Sequence, residues 1–245
     1  MKFRVIGWLL WIISTLLAVG IVVLCWFEYA GNWLVWLLVF AVYLSLPVTS
    51  LLHELGHVLF GAISRIHAKI TLKSVFSFFK PSSCEIIPKT EHSIKKRLIA
   101  TTIGGLVINL IFIIIGVLAL IVSAIPTYIA IIMPASFYLF AINLVPLETD
   151  NGKTDGLVIA ELIKNTDCAK VMLAVLTVQA QVLNGKPIKE VEEKLLFDLP
   201  QIQEDEPAFI SLTELRAEYF AAKGDTANAQ KYKSRFEQLK KDYLN

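Results

Sequence analysis

Leu51-Leu52-His53-Glu54-Leu55-Gly56-His57-Val58-Leu59-Phe60 sets two imidazoles and a carboxylate inside an apolar run, and the fold follows from how that run is read. Between Arg4 and His53 the only other charged residue is Glu28. Unpaired charge in lipid or in a membrane bundle is costly, so polar residues in such surroundings mark functional sites. Histidines at i and i+4 share one helix face, and both rings can reach a single metal ion. A carboxylate beside the first of them, Glu54, can then serve a metal-bound water as general base.

Outward from this segment the chain keeps the same character. Of its 245 residues 56% are hydrophobic and the mean hydropathy is +0.62, which indicates a polytopic membrane protein rather than a soluble enzyme. One apolar run extends from Val5 to Trp26 and a second from Trp33 to Phe60. A third and a fourth share the uncharged span from Leu98 to Leu147, with Ser123-Ala124-Ile125-Pro126-Thr127 as the turn between them. The first run is long for a signal peptide and no small-x-small cleavage site follows it, so it reads as a retained helix. Pro47, within the second run, predicts a kink or break near Ser45 to Pro47, with Thr49 or Ser50 available to satisfy freed amides.

Basic residues set the orientation. Lys2 and Arg4 precede the first helix, and Arg65, Lys69, Lys73, Lys80, Lys89, Lys95, Lys96 and Arg97 crowd the connection after the second. The other connections carry no Lys or Arg, so both termini and this basic segment are expected in the cytoplasm. The formal net charge of +2 mainly reflects that segment, whose basic residues fit topology and anionic headgroups and give no case for a nucleic-acid partner. Within it, Lys69 to Phe79 and Ser83 to Ile87 read as a short β-hairpin, an edge to which an extended peptide could add. His67 and His92 lack a partner at ligand spacing and read as surface residues. Cys25, Cys84 and Cys168 show neither paired nor metal-type spacing.

Two histidines leave a catalytic metal site short of a ligand. Downstream, Asn143-Leu144-Val145-Pro146 ends the fourth run, and Thr154-Asp155-Gly156 opens the mostly apolar stretch Leu157 to Ile163. Asp155 is therefore a carboxylate at a helix start near the membrane, and Gly156 permits close backbone approach.

His53, Glu54 and His57, followed by Asn143, Pro146, Asp155 and Gly156, resemble the motifs of the site-2 protease family of intramembrane zinc metalloproteases. Gly104-Gly105-Leu106-Val107-Ile108-Asn109 is similar to that family's Gly-Pro-x-x-Asn segment, without its proline. The resemblance covers roughly residues 34 to 162. It implies one zinc ion held by His53, His57 and Asp155, with Glu54 activating water for attack on a peptide bond. It also implies Asn109 and Asn143 as substrate-binding residues; an interhelical hydrogen bond is the alternative for each. Residues 148–153 stretch the usual spacing and leave Asp150 as a competing ligand. Asp150-Asn151-Gly152 reads as a turn, whereas Asp155 opens a helix.

After about Asn165 the composition becomes charged and amphipathic. Lys170 to Leu183 predicts a helix stopped at Asn184-Gly185-Lys186-Pro187, and Ile188 to Phe197 a second one. Ser211 to Lys240, interrupted at Gly224-Asp225, resembles one tetratricopeptide-type hairpin.

The expected architecture is mainly α: a polytopic membrane bundle of four transmembrane helices with a short β-hairpin and a small C-terminal helical domain. Its segments are an N-terminal transmembrane helix (1–30), an intramembrane metalloprotease core (31–164) and a cytoplasmic helical domain (165–245). The expected activity is zinc-dependent hydrolysis of membrane-embedded or membrane-delivered peptides near the cytoplasmic face, in a multi-pass protein of a bacterial cell membrane. The tail offers a surface for a protein partner. The competing readings are a catalytically silent adaptor, a metal transporter using the same ligands, and a prenyl-protein-endopeptidase type of zincin with a downstream Glu ligand.

Overall fold

The computed structural model describes residues 2–29, 33–70, 84–149 and 152–243. The molecule is mainly helical. It divides into two compact units: 1–63, 68–85 and 100–159 in the first, and 64–67, 86–99 and 160–245 in the second.

Four helical segments among the described residues are long and apolar enough to cross a membrane: Val5–Glu28, Phe40–Ile63, Ile94–Ile121 and Thr127–Leu144. They fall on the four apolar runs. Helix α1 spans Lys2–Glu28 and α2 spans Leu34–Ile63. Trp8 and Trp11 near one end of α1, and Trp26 and Phe27 near the other, are exposed, as aromatic anchors at two membrane interfaces would be.

Helix α2 excludes one of the two outcomes expected at Pro47, the break. It stays helical through Pro47 instead of breaking there. The Ser45 hydroxyl donates to the Val42 carbonyl (2.6 Å), and the Thr49 hydroxyl to Ser45 O (2.6 Å) and Leu46 O (3.0 Å). These hydroxyls serve carbonyls on either side of the proline rather than the amides foreseen.

Strands β1 (Ile66–Ile70) and β2 (Cys84–Pro88) pair in a two-stranded sheet. The first strand starts earlier than the expected Lys69, and most of Lys69 to Phe79 lies outside the described residues. Helix α3 (Ile94–Ile121) follows. The Ser123 to Thr127 turn leads into a 3₁₀ segment, Thr127–Ile132, continued by α4, Met133–Leu144. In the first unit α1 packs on this pair: Ile21 and Cys25 meet Ala130 and Met133, and the Ser14 hydroxyl donates to Pro134 O (2.6 Å). Strands β3 (Glu148–Thr149) and β4 (Gly152–Lys153) pair antiparallel, and α5 runs Asp155–Lys164.

The second unit is built on α6, Asp167–Leu183, capped by the Thr166 hydroxyl. The expected helix Ile188 to Phe197 is replaced by a 3₁₀ turn, Ile188–Glu190, and a single turn, α7, Lys194–Phe197. Val191 between them is buried in the core, so the chain bends to seat it. Helices α8 (Pro207–Lys223) and α9 (Thr226–Tyr243) form the hairpin, turning at Gly224 with φ of 79°. Val171, Val175 and Val178 of α6 pack against Leu212, Leu215 and Tyr219 of α8. Phe220 stacks on Tyr232 across the hairpin at 5.5 Å between ring centroids. The first helix of the hairpin, α8, is therefore covered by α6. Part of the basic segment packs here too: Lys95 donates to Asn165 (2.6 Å), while Gln181 donates to Glu91 (2.6 Å).

Candidate metal centre

The site lies within the first unit, on α2, α3 and the start of α5. One turn apart on α2, His53 and His57 are 5% and 7% exposed, and Glu54 between them is 7% exposed. The rings meet edge to face, and their Nε2 atoms are 3.1 Å apart. Oδ2 of Asp155 lies 3.2 Å from Nε2 of His53 and 3.6 Å from Nε2 of His57. These three are the group among the described residues that could hold a metal ion. His67 and His92 are exposed elsewhere.

Asp155 reaches α2 because its helix start is tied down. The Thr154 hydroxyl lies 2.7 Å from Val145 O and 3.0 Å from Leu147 O, and accepts from the amides of Leu147 (3.1 Å) and Leu157 (3.3 Å). Thr154 thereby caps α5 and fastens it to the end of the preceding span. Gly156 lets the two segments touch, since a Cβ there would collide with the Leu144 carbonyl oxygen.

The stretched spacing after Pro146 has a simple cause. Glu148 pairs with Lys153 and Thr149 with Gly152, so the extra residues leave and return as a small hairpin. Leu147 and Thr154 end up hydrogen-bonded to each other through Thr154 N and Leu147 O (3.0 Å). Asp150 lies outside the described residues, between those two paired strands.

Helix α3 supplies the wall. At its crossing with α2, a Cβ on Gly56 would stand 2.5 Å from the Gly104 carbonyl oxygen, and one on Gly104 would strike the Gly56 carbonyl. A Cβ on Gly105 would stand 2.6 Å from Nε2 of His53 and 2.7 Å from Nε2 of His57. Bare backbone here is what leaves room in front of both Nε2 atoms. The same helix holds the far side of each ring: Nδ1 of His57 is 3.0 Å from the Thr101 carbonyl, and Nδ1 of His53 is 2.9 Å from Nδ2 of Asn109. A carbonyl can only accept, so His57 carries its proton on Nδ1 and turns the lone pair of Nε2 toward Asp155.

The donor set fits a bound cation. Asp155 Oδ2 is buried without a hydrogen-bond partner, although two imidazole nitrogens stand close to it. Close approach without hydrogen-bond direction is the geometry of ligands aimed at a shared point. Leaving a carboxylate oxygen so placed is costly, and a cation removes the cost. The space a Gly105 Cβ would fill is the second sign.

Of the residues singled out in the sequence, the structure brings His53, His57, Asp155 and Asn109 into one cluster, with Glu54 buried beside it. Asn143 donates instead to the Leu139 carbonyl of its own helix (3.0 Å). Thr101, Gly105 and Thr154 escaped the sequence reading as site-builders. The double glycine and the Thr before Asp155, a helix-cap signature, were the available signals. Comparison of the chain with protein-family models, curated proteins and solved structures finds no match.

Proposed function

We propose that this protein is an intramembrane zinc endopeptidase that hydrolyses membrane-embedded or membrane-delivered peptides close to the cytoplasmic face. The observation that carries the reading is the triangle of donor atoms with edges of 3.1, 3.2 and 3.6 Å. Ligands bonded to a tetrahedral zinc ion at about 2.0–2.2 Å are separated by about 3.3–3.6 Å. Two imidazoles and one carboxylate form a catalytic type of donor set, with a fourth position open. The motif resemblance to site-2 proteases supports the same reading, and the distribution of Lys and Arg supports cytoplasmic termini.

His53, His57 and Asp155 would hold the ion. When bound, zinc supplies Lewis acidity, polarising a carbonyl and lowering the pKa of water. Glu54 takes a proton from the attacking water as the new C–O bond forms, and delivers it to the amide nitrogen as the C–N bond breaks. Burial of Glu54 among apolar helices keeps that carboxylate from being swamped by bulk water.

The test compares membrane peptides from cells expressing wild type or Glu54→Gln, with zinc measured in both purified proteins. The reading expects both to hold one zinc per chain and the variant alone to accumulate uncleaved peptide. Identical peptide profiles in zinc-loaded samples would instead favour a silent adaptor. Metal flux in vesicles that needs His53 but not Glu54 would favour a transporter.

A further inference from the structure

We propose that Asn109 is a positioning residue that sets the tautomer of His53 and through it the affinity of the site for zinc. The proposal rests on the metal-site reading above and assigns Asn109 a place behind a ligand rather than against substrate. The two ligand histidines are held differently. His57 faces a backbone carbonyl, which holds its proton on Nδ1 and leaves Nε2 open in the neutral ring. His53 faces a side-chain amide, which has both a donor and an acceptor and can present either.

As the amide stands, Nδ2 donates to Nδ1 of His53 at 2.9 Å. Neutral His53 then carries its proton on Nε2, the nitrogen that lies 3.1 Å from His57 and 3.2 Å from Asp155. That proton occupies the position a metal needs. Zinc bound through Nε2 requires the opposite tautomer, with the proton on Nδ1 and an acceptor facing it. The acceptor is already there. Asn109 is 0% exposed, and its Oδ1 is buried without a hydrogen-bond partner. Half a turn of the terminal amide brings Oδ1 to Nδ1 of His53. One amide orientation thus matches the metal-free ring and the other the metal-loaded ring: as the Nε2 proton is lost to solvent a proton is gained at Nδ1, so the ring stays neutral and releases no net proton.

Asp and Leu are both close to Asn in shape, so they separate this role from packing. An ionised Asp can only accept and locks His53 in the zinc-ready tautomer. Leu can do neither. In competition with a chromophoric chelator, full-length protein in detergent should show Asn109→Asp binding zinc at least as tightly as wild type. Asn109→Leu should bind about 10–100-fold more weakly, the usual effect of removing a ligand's hydrogen-bond partner. Asn109→Leu equal to wild type, or Asn109→Asp as weak as Asn109→Leu, overturns the proposal. A readout without mutation guards against misfolded variants. Histidine-labelled, zinc-loaded wild type should give a slowly exchanging Nδ1–H resonance for His53 by nitrogen-15 NMR, and its absence also overturns it. Wild type that binds no zinc removes the metal-site reading and this proposal together. Wild type that binds zinc irrespective of residue 109 removes this proposal alone.

Discussion

Gly105→Ala gives the sharpest test of how the centre is built, because it adds one methyl group and changes no ligand. The new Cβ would lie 2.5 Å from Cε1 of His53, 2.6 Å from its Nε2 and 2.7 Å from Nε2 of His57. Ordinary contact for such atoms begins at 3.4 Å, so both rings must retreat by about 0.7–0.9 Å. Metal sites tolerate ligand displacements of about 0.2 Å. The required retreat is several times that tolerance and falls on two of three ligands at once. We expect zinc content to drop from one per chain to near zero. Overpacking of this kind costs about 1–3 kcal/mol, so the fold should survive with a lowered melting temperature. Gly7→Ala and Gly20→Ala, where a Cβ meets nothing within 4 Å, control for alanine in a membrane helix and should leave zinc unchanged. The assay is metal analysis of detergent-purified protein with thermal unfolding alongside. A folded Gly105→Ala protein that keeps one zinc at wild-type affinity would refute the placement of α3 over the ligand nitrogens.

Thr154→Val removes a hydroxyl that makes contacts of 2.7–3.3 Å with Val145, Leu147 and Leu157, whereas Thr154→Ser retains it. At about 1 kcal/mol per hydrogen bond, Val should weaken zinc binding several-fold and Ser should restore it, as read by chelator competition. Asp155→Ala should abolish stoichiometric zinc while Asp150→Ala retains it; metal analysis of the pair decides the third ligand. In the second unit, burial and then the neighbouring Glu214 raise the pKa of Glu218. Stability tied to its protonated form is present below the ordinary value of 4.5 and lost as pH rises through the raised one. Glu218→Gln should therefore match wild type in acid and melt higher at neutral pH, and no gain at neutral pH would count against it. Glu193 behaves oppositely, since hydrogen bonds from Lys223 and Tyr219 lower its pKa. Its contribution is present above 4.5 and lost as pH falls through the lowered value, so Glu193→Gln should narrow the gap to wild type only in strong acid.

What the sequence makes legible here is set by how local each cause is. The four spans are local: a run without charge is long enough or it is not, and the turn near Pro126 separates two of them. The helix stop at Asn184 and Gly185 and the break at Gly224 are equally local, set by residues in the turn itself. The helix expected from Ile188 to Phe197 fails because distant atoms decide. Val191 interrupts the expected helix after Pro187 because a core made by α6 and α8 has room for it. No periodicity reports that outcome.

The site shows the same division at finer scale. His53, Glu54 and His57 are legible because one helix turn brings both rings to one face. Asp155 is legible only in part, because the distance along the chain from Pro146 measures nothing once Glu148–Thr149 pairs with Gly152–Lys153. The relevant distance is from Leu147 to Thr154, which the hairpin closes to a hydrogen bond of 3.0 Å. An insertion that folds on itself is silent in the spacing of the ligands it separates. This bears on the lack of a proline after Gly104 as well. Among the residues around the site, what α3 must supply is bare backbone at Gly104 and Gly105, one carbonyl at Thr101 and one amide at Asn109. None of these needs a proline. The departures from the expected motifs therefore fall where the geometry is indifferent, and the matches fall on the atoms that converge.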